Sequence, residues 1–210
     1  MSEIKNIVFD LGGVIIDLDR ASSVKCFKEI GVNTIEEMLD AYEQKGIFLE
    51  LENGMVDTET FRVQLGLMIG REITEEEVRY GWLGFVQAVP QYKLDYIQSL
   101  RKKYNVYILS NTNPVIMEWA RTPAFSDAGL PVTAYCDKFY ASYEMKVTKP
   151  NPKIFEMMIQ DSGMVPSETL FVDDGKRNVD TARTLGFVAY QPLNKEDWRM
   201  PIERILKGDA

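Results

Sequence analysis

Apolar residues along this chain fall into two rhythms. In the first, short β-branched and aromatic runs stop abruptly at polar groups. Ile7-Val8-Phe9 stops at Asp10, Val106-Tyr107-Ile108-Leu109 at Ser110-Asn111, and Thr169-Leu170-Phe171-Val172 at Asp173-Asp174. Such runs read as strands buried on both faces. Weaker runs at Phe139 to Tyr143 and Phe187 to Tyr190 bring the expected strands to five. Between them lie segments at helical spacing. One carries Leu94, Ile97 and Leu100 and ends in Arg101-Lys102-Lys103, favourable at the negative end of a helix dipole. Asn113-Pro114 and Asn151-Pro152 each read as N-cap and first helical residue. Val179, Ala182 and Leu185 suit a helix closed by Gly186, and a last helix is expected from Asp197 to Lys207. Strands and helices in alternation predict a mostly parallel sheet covered on both faces.

The second rhythm holds from about Arg20 to Val89, where helix signals dominate and no strand is evident. Thr34 to Glu37 and Thr74 to Glu77 match the capping box, Asn53-Gly54 marks a turn, and Asp57 suits the N-cap of a helix carrying Phe61 and Leu65. Four or five short helices are expected. The predicted architecture is therefore α/β: a Rossmann-like, mostly parallel sheet domain in residues 1–18 and 90–210, interrupted after its first strand by a helical bundle in residues 19–89.

Composition narrows the chemistry. With 210 residues, 45% of them hydrophobic, the chain can bury a substantial core. A net charge of -8 argues against nucleic acid and anionic membranes as partners, since both need basic patches. The oligomeric state is left open. Cys26 and Cys136 have no metal-site spacing and read as reduced thiols. No apolar run approaches the roughly 18 residues of a membrane span, and the N-terminus lacks the apolar region of a signal, so a cytoplasmic protein is expected. There is no histidine. That excludes Ser-His-Asp and Cys-His nucleophilic sites, histidine-ligated zinc and phosphohistidine transfer.

Parallel strands bring Asp10, Ser110-Asn111 and Asp173-Asp174 to one edge of the sheet, where open α/β sheets bind ligands. Gly12 and Gly13 free the backbone to bring N–H groups up to an anion, which makes Gly13 a candidate phosphate-binding position. Lys149 precedes Pro150, which favours extended backbone and can aim the lysine back at the same edge. Lys146, three residues earlier, is the alternative. A carboxylate, a hydroxyl with a following N–H, an ammonium and a second acidic site suit phosphoryl transfer to an aspartate. Each residue also has a plainer reading. Asp10 suits a turn and Ser110 a helix cap; Asp17 and Asp19 suit solvated loops; Phe48, Trp82 and Phe85 suit the core of the helical insert, an aromatic facing a substrate being the sharper alternative.

Four motifs in order resemble the haloacid dehalogenase-like hydrolases, over a span from Asn6 to about Gly186. They are Phe9-Asp10-Leu11-Gly12-Gly13-Val14, Leu109-Ser110-Asn111-Thr112-Asn113, Lys149-Pro150, and Phe171-Val172-Asp173-Asp174 with Asn178. The helical insert falls where that family carries a cap over its active site. Within the family the motifs most resemble small sugar-phosphate phosphatases of the glucose-1-phosphate phosphatase type. The resemblance implies Asp10 as a nucleophile that forms an aspartyl-phosphate. It implies magnesium held by the Asp10 carboxylate, the Gly12 carbonyl and Asp174, and phosphate bound by Ser110, the Asn111 N–H and Lys149. Asp173 suits either a metal ligand or a carboxylate orienting Lys149, and Asn178 a position behind the ligands.

One position departs from the pattern. Typical family phosphatases carry, two residues after the nucleophile, an aspartate that protonates the leaving group; here that residue is Gly12. General acid–base groups are worth about 10²–10⁴ in rate. Either the leaving group is good or another group supplies the proton, and Asp17 and Asp19 are the nearest acids in sequence. Family dehalogenases also lack that aspartate, but they work without metal and generally lack the acidic pair of the fourth motif. The expected function is magnesium-dependent hydrolysis of a small phosphate ester, a sugar phosphate foremost. A metal-independent dehalogenase-like hydrolase and a non-catalytic phospho-ligand binding protein are the alternatives.

Overall fold

A computed structural model describes residues 3–40 and 44–208. Residues 1, 2, 41–43, 209 and 210, at the ends of the expected sheet domain and within the expected insert, lie outside the described residues. The strands are β1 (Asn6–Phe9), β2 (Asp17–Leu18), β3 (Val86–Ala88), β4 (Asn105–Ser110), β5 (Lys138–Ala141), β6 (Thr169–Val172) and β7 (Val188–Tyr190). The helices are α1 (Arg20–Glu29), α2 (Ile35–Met38), α3 (Ile47–Glu52), α4 (Thr58–Ile69), α5 (Glu75–Leu83), α6 (Gln91–Leu100), α7 (Pro114–Ala120), α8 (Ser142–Met145), α9 (Pro152–Ser162), α10 (Lys176–Thr184) and α11 (Arg199–Lys207).

Five strands form a parallel sheet in the order β5-β4-β1-β6-β7, with Phe9 level with Ile108 on one side and Val172 on the other. The strand alternation divides β1 between two cores. Ile7 and Phe9 pack with Leu94, Ile97, Trp198 and Ile202 on one face, while Val8 packs with Ile154, Phe155 and Met158 on the other. A strand covered on both faces has no use for polar residues, which is why the apolar runs are continuous. From central β1 the chain builds outward to β4 and β5, then crosses to β6 and β7. That reversal opens a crevice at the C-terminal edge beside β1.

The helical insert has its own core. Phe27, Phe48, Phe61, Trp82 and Phe85 are buried together, with Phe48 and Phe61 edge to face at 5.0 Å and 90°. Val115 of α7 belongs to the same cluster and Leu18 and Ile116 pack against it, so the insert is seated over the crevice edge of the sheet.

Local details differ from expectation for identifiable reasons. The segment expected to hold no strand contains β3, which pairs antiparallel with β2 as a two-stranded ribbon at the base of the insert. Strands of two and three residues leave no periodicity to read. Thr74 and Glu77 form the expected capping box and Asp57 caps α4, but Thr34 makes no cap bond. At φ -90° and ψ 8° its backbone is already turned in, rather than in the extended conformation of a side-chain cap. The third strand ends at Ala141, not Tyr143, because Ser142 opens a short helix. The last helix begins at Arg199, two residues later than expected.

Candidate active site

The three strand ends converge as the parallel register requires. Asp10 follows Phe9 directly, Asp173 follows Val172, and Ser110 closes β4. Lys149 arrives from the segment after α8 and is 2% exposed. Its ammonium sits 3.0 Å from Asp10 Oδ1 and 2.6 Å from Asp173 Oδ2, and it donates to the Leu109 carbonyl at 2.8 Å. Lys146 is elsewhere, donating to the Gly54 carbonyl at the end of α3. The side chain of Asn111 fixes the lysine backbone from both sides, accepting from Lys149 N at 2.8 Å and donating to Lys149 O at 2.9 Å.

Asp173 is engaged on both oxygens. Beside Lys149, it accepts from Gly175 N at 2.8 Å and Asn178 Nδ2 at 2.9 Å. Of the two roles open to it, orienting Lys149 accounts for these bonds. Asp10 uses Oδ1 for Lys149 and for the Leu11 N–H at 2.6 Å, while Oδ2 accepts no hydrogen bond from a described residue. That leaves one carboxylate oxygen free to attack. Ser110 does not cap the following helix; Asn113 does, through the N–H of Ile116.

Gly13 differs from expectation. Its N–H donates to the Ile16 carbonyl at 2.8 Å, so it is not presented to an anion. The residue matters for space instead: at φ +73° a Cβ there would lie 2.1 Å from Asp174 Oδ2. Glycine is what lets Asp174 lie against this loop. Gly12 has no such constraint, and a Cβ there would meet the flexible Leu18 side chain at 3.1 Å.

Carboxylate oxygens of Asp10, Asp173 and Asp174 lie within 4.8 Å of one another. Crowding and burial push the protonation equilibria of Asp10 and Asp174 upward. Burial first, then Asp173 and Asp174, hold Asp10 well above the usual carboxylate range against the pull of Lys149. Burial and Asp173 push Asp174 up to about 7. Lys149 is lowered by burial, but Asp10 and Asp173 outweigh it and the net shift is upward. An all-oxygen donor set with more negative than positive charge suits a hard divalent cation such as magnesium, and the missing Cβ at Gly13 lets Asp174 join that set.

A cavity of about 100 Å³ opens onto these groups. Asp10, Gly12, Ser110, Asn111, Asp174 and Asn178 line its floor, and Glu52, Trp82 and Phe85 of the insert line it from above. Trp82 and Phe85 thus serve both readings, since they are core residues and cavity walls at once. The indole N–H of Trp82 is buried without a hydrogen-bond partner among the described residues. Glu52 was not singled out by its motif context. The signal available was its spacing, since it shares the buried face of α3 with Phe48 and Leu51, where an acid is out of place.

Comparison with known proteins agrees with this geometry. The family model described as haloacid dehalogenase-like hydrolase matches residues 4–186. The D-ribitol-5-phosphate phosphatase of Bacteroides thetaiotaomicron is 53% identical over 205 residues, covering 98% of this chain and 100% of the relative. A HAD-like family hydrolase from Porphyromonas gingivalis superposes with a TM-score of 0.95 at 50% identity, over 98% of this chain and 99% of that one. A HAD family enzyme from Bacteroides thetaiotaomicron, solved in complex with magnesium and inorganic phosphate, superposes with a TM-score of 0.85 at 40% identity, over 93% and 97% of the two chains. The strand order, the four motifs at one sheet edge and these matches place the chain among the haloacid dehalogenase-like hydrolases.

Proposed function

We propose that this protein is a magnesium-dependent phosphatase of small phosphorylated metabolites, with a sugar or sugar-alcohol phosphate as substrate, working in the cytoplasm. The observation that carries the reading is the state of Asp10: one oxygen pinned by Lys149 and the Leu11 N–H, the other free at the floor of the cavity. The free oxygen attacks phosphorus and the ester oxygen leaves, giving an aspartyl-phosphate that water then hydrolyses. Lys149, Ser110 and the Asn111 N–H hold the phosphoryl oxygens and offset charge that builds on them in the transition state. Magnesium, held by Asp10, the Gly12 carbonyl and Asp174, supplies further charge neutralisation when bound. Residues 19–89 serve as a cap over a sheet domain of residues 1–18 and 90–210. The small cavity beneath it favours a small substrate and excludes water and polymers.

The relatedness to a D-ribitol-5-phosphate phosphatase supports a polyol phosphate as the first substrate to assay. The acidic cluster supports this reading over a dehalogenase-like one, which has no use for a cation site. The test is a panel of phosphorylated sugars and sugar alcohols, nucleotides and p-nitrophenyl phosphate, with magnesium and with excess chelator. Turnover of sugar phosphates that stops in chelator is expected; undiminished turnover in chelator would revive the dehalogenase-like reading. Gly13→Ala should lower magnesium affinity ~10–100-fold by pushing Asp174 aside, read by calorimetry without any turnover. Unchanged affinity would remove Asp174 from the cation site.

A further inference from the structure

We propose that Glu52, carried into the site by the helical insert, is the proton donor and acceptor of the reaction, in place of the acid that Gly12 lacks. This rests on the phosphatase reading above. The acids nearest to Asp10 in sequence are occupied. Asp17 is paired with the buried ammonium of Lys93 at 2.8 Å, Asp19 caps α1 through the N–H of Ser22 at 3.0 Å, and neither lines the cavity. The carboxyl groups that do line it are Asp10, Asp174 and Glu52. With Asp10 as nucleophile and Asp174 on the cation side, Glu52 is the one without a task.

Its setting is that of a working group rather than a surface acid. Glu52 is 6% exposed, and its carboxyl makes no hydrogen bond or ion pair with a described residue. Its carboxyl opens to the cavity instead of being sealed in the core, so a ligand bound there can meet it. Its backbone is fixed to the phosphate-binding loop. The Ser142 hydroxyl bridges the Glu52 carbonyl at 2.7 Å and the Thr112 carbonyl at 3.0 Å and accepts from the Thr112 N–H at 3.0 Å. Thr112 follows Ser110-Asn111, so one hydroxyl ties the acid of the insert to the floor of the site. Burial pushes the Glu52 carboxyl up to about 8 against the opposing charge of Lys149, which keeps it protonated at neutral pH. Asp10 and Asp174 face it across the cavity, and Lys146 near the end of α3 is engaged with Gly54.

The proton count closes over the two half-reactions. As Asp10 bonds to phosphorus and the ester P–O bond breaks, the leaving oxygen takes the pair and the Glu52 proton, releasing an alcohol and leaving Glu52 as a carboxylate. Water then attacks the aspartyl-phosphate. Glu52 takes its proton, the P–O bond to Asp10 breaks with the pair returning to Asp10, and hydrogen phosphate leaves with Glu52 protonated again.

The test compares wild type, E52Q and E52D on D-ribitol 5-phosphate and on p-nitrophenyl phosphate, whose leaving group needs no proton. In E52Q, kcat for the polyol phosphate should fall ~10²–10³-fold, E52D should recover part of the loss, and the decline of wild-type kcat as pH passes about 8 should vanish. With p-nitrophenyl phosphate, E52Q should release a burst of nitrophenol matched to the enzyme present and then stall as phosphoenzyme, because only the second half-reaction needs the base. E52Q should melt no lower than wild type at pH 8, since it no longer buries a group that ionises there. An E52Q enzyme with a raised KM for the polyol phosphate, unchanged kcat and no burst would make Glu52 a hydroxyl contact and overturn the proposal. If wild type hydrolyses no phosphate ester, the phosphatase reading itself falls; if it does and E52Q behaves like it, only the role of Glu52 falls.

Discussion

Asp10→Asn loses turnover by ~10⁵-fold or more and keeps its fold, because an amide cannot attack phosphorus and no other described residue is placed to do so. The fold survives for an electrostatic reason. The amide oxygen that replaces the carboxylate can still accept from the Leu11 N–H, and Lys149 keeps Asp173 as partner. Wild-type Asp10 is buried beside two more carboxylates and sits well above the usual carboxylate range. A carboxyl raised on folding binds its proton more tightly in the native state, so its contribution to stability falls as pH rises through that range. The asparagine variant is spared that loss and should melt at or above wild type, with the margin widening as pH rises above the ordinary carboxylate range. Thermal melts across that rise in pH, beside steady-state rates, check both halves. A variant within tenfold of wild-type rate would remove Asp10 from the nucleophile role.

Lys149→Met loses stability as well as turnover. The ammonium is the cation within ion-pair distance of Asp10 and Asp173, and all three are buried. Removing one partner of a buried ion pair costs about 3–5 kcal/mol, since the other charge is left uncompensated. For a chain of this length that corresponds to a drop in Tm of roughly 6–20 °C at neutral pH. The deficit should shrink on acidification. With the lysine gone, Asp10 loses the charge that opposes its upward shift, and protonating it as pH falls removes unpaired charge. A deficit that stays constant from pH 8 to pH 5 would mean that lost packing, not lost charge, destabilises the variant.

What sequence reading reached here is what the parallel sheet enforces. Apolar runs ending in Asp10, Ser110 and Asp173 sit at one edge because parallel strands put like ends together, so the four motifs could be assembled without coordinates. The choice of Lys149 over Lys146 was legible from Pro150, and the geometry separates them: one meets Asp10 and the other the Gly54 carbonyl. What was not legible depends on how the insert docks. Glu52 enters the site from a helix whose approach is set by contacts such as the Ser142 hydroxyl with the Glu52 carbonyl, and no pattern within α3 encodes which site that acid reaches. Gly13 was misread for a related reason. A glycine-rich loop is as consistent with N–H groups offered to an anion as with space made for Asp174, and only the partner at Ile16 decides between them.

With Asp10 as nucleophile, phosphate passes through its carboxylate rather than directly to water. Turnover of D-ribitol 5-phosphate made chiral at phosphorus with oxygen isotopes tests this most directly. Each in-line displacement inverts phosphorus, so attack by Asp10 followed by attack of water returns phosphate with retained configuration, which is the expected result. Inverted phosphate would show a single displacement by water and would rule out an aspartyl-phosphate at Asp10.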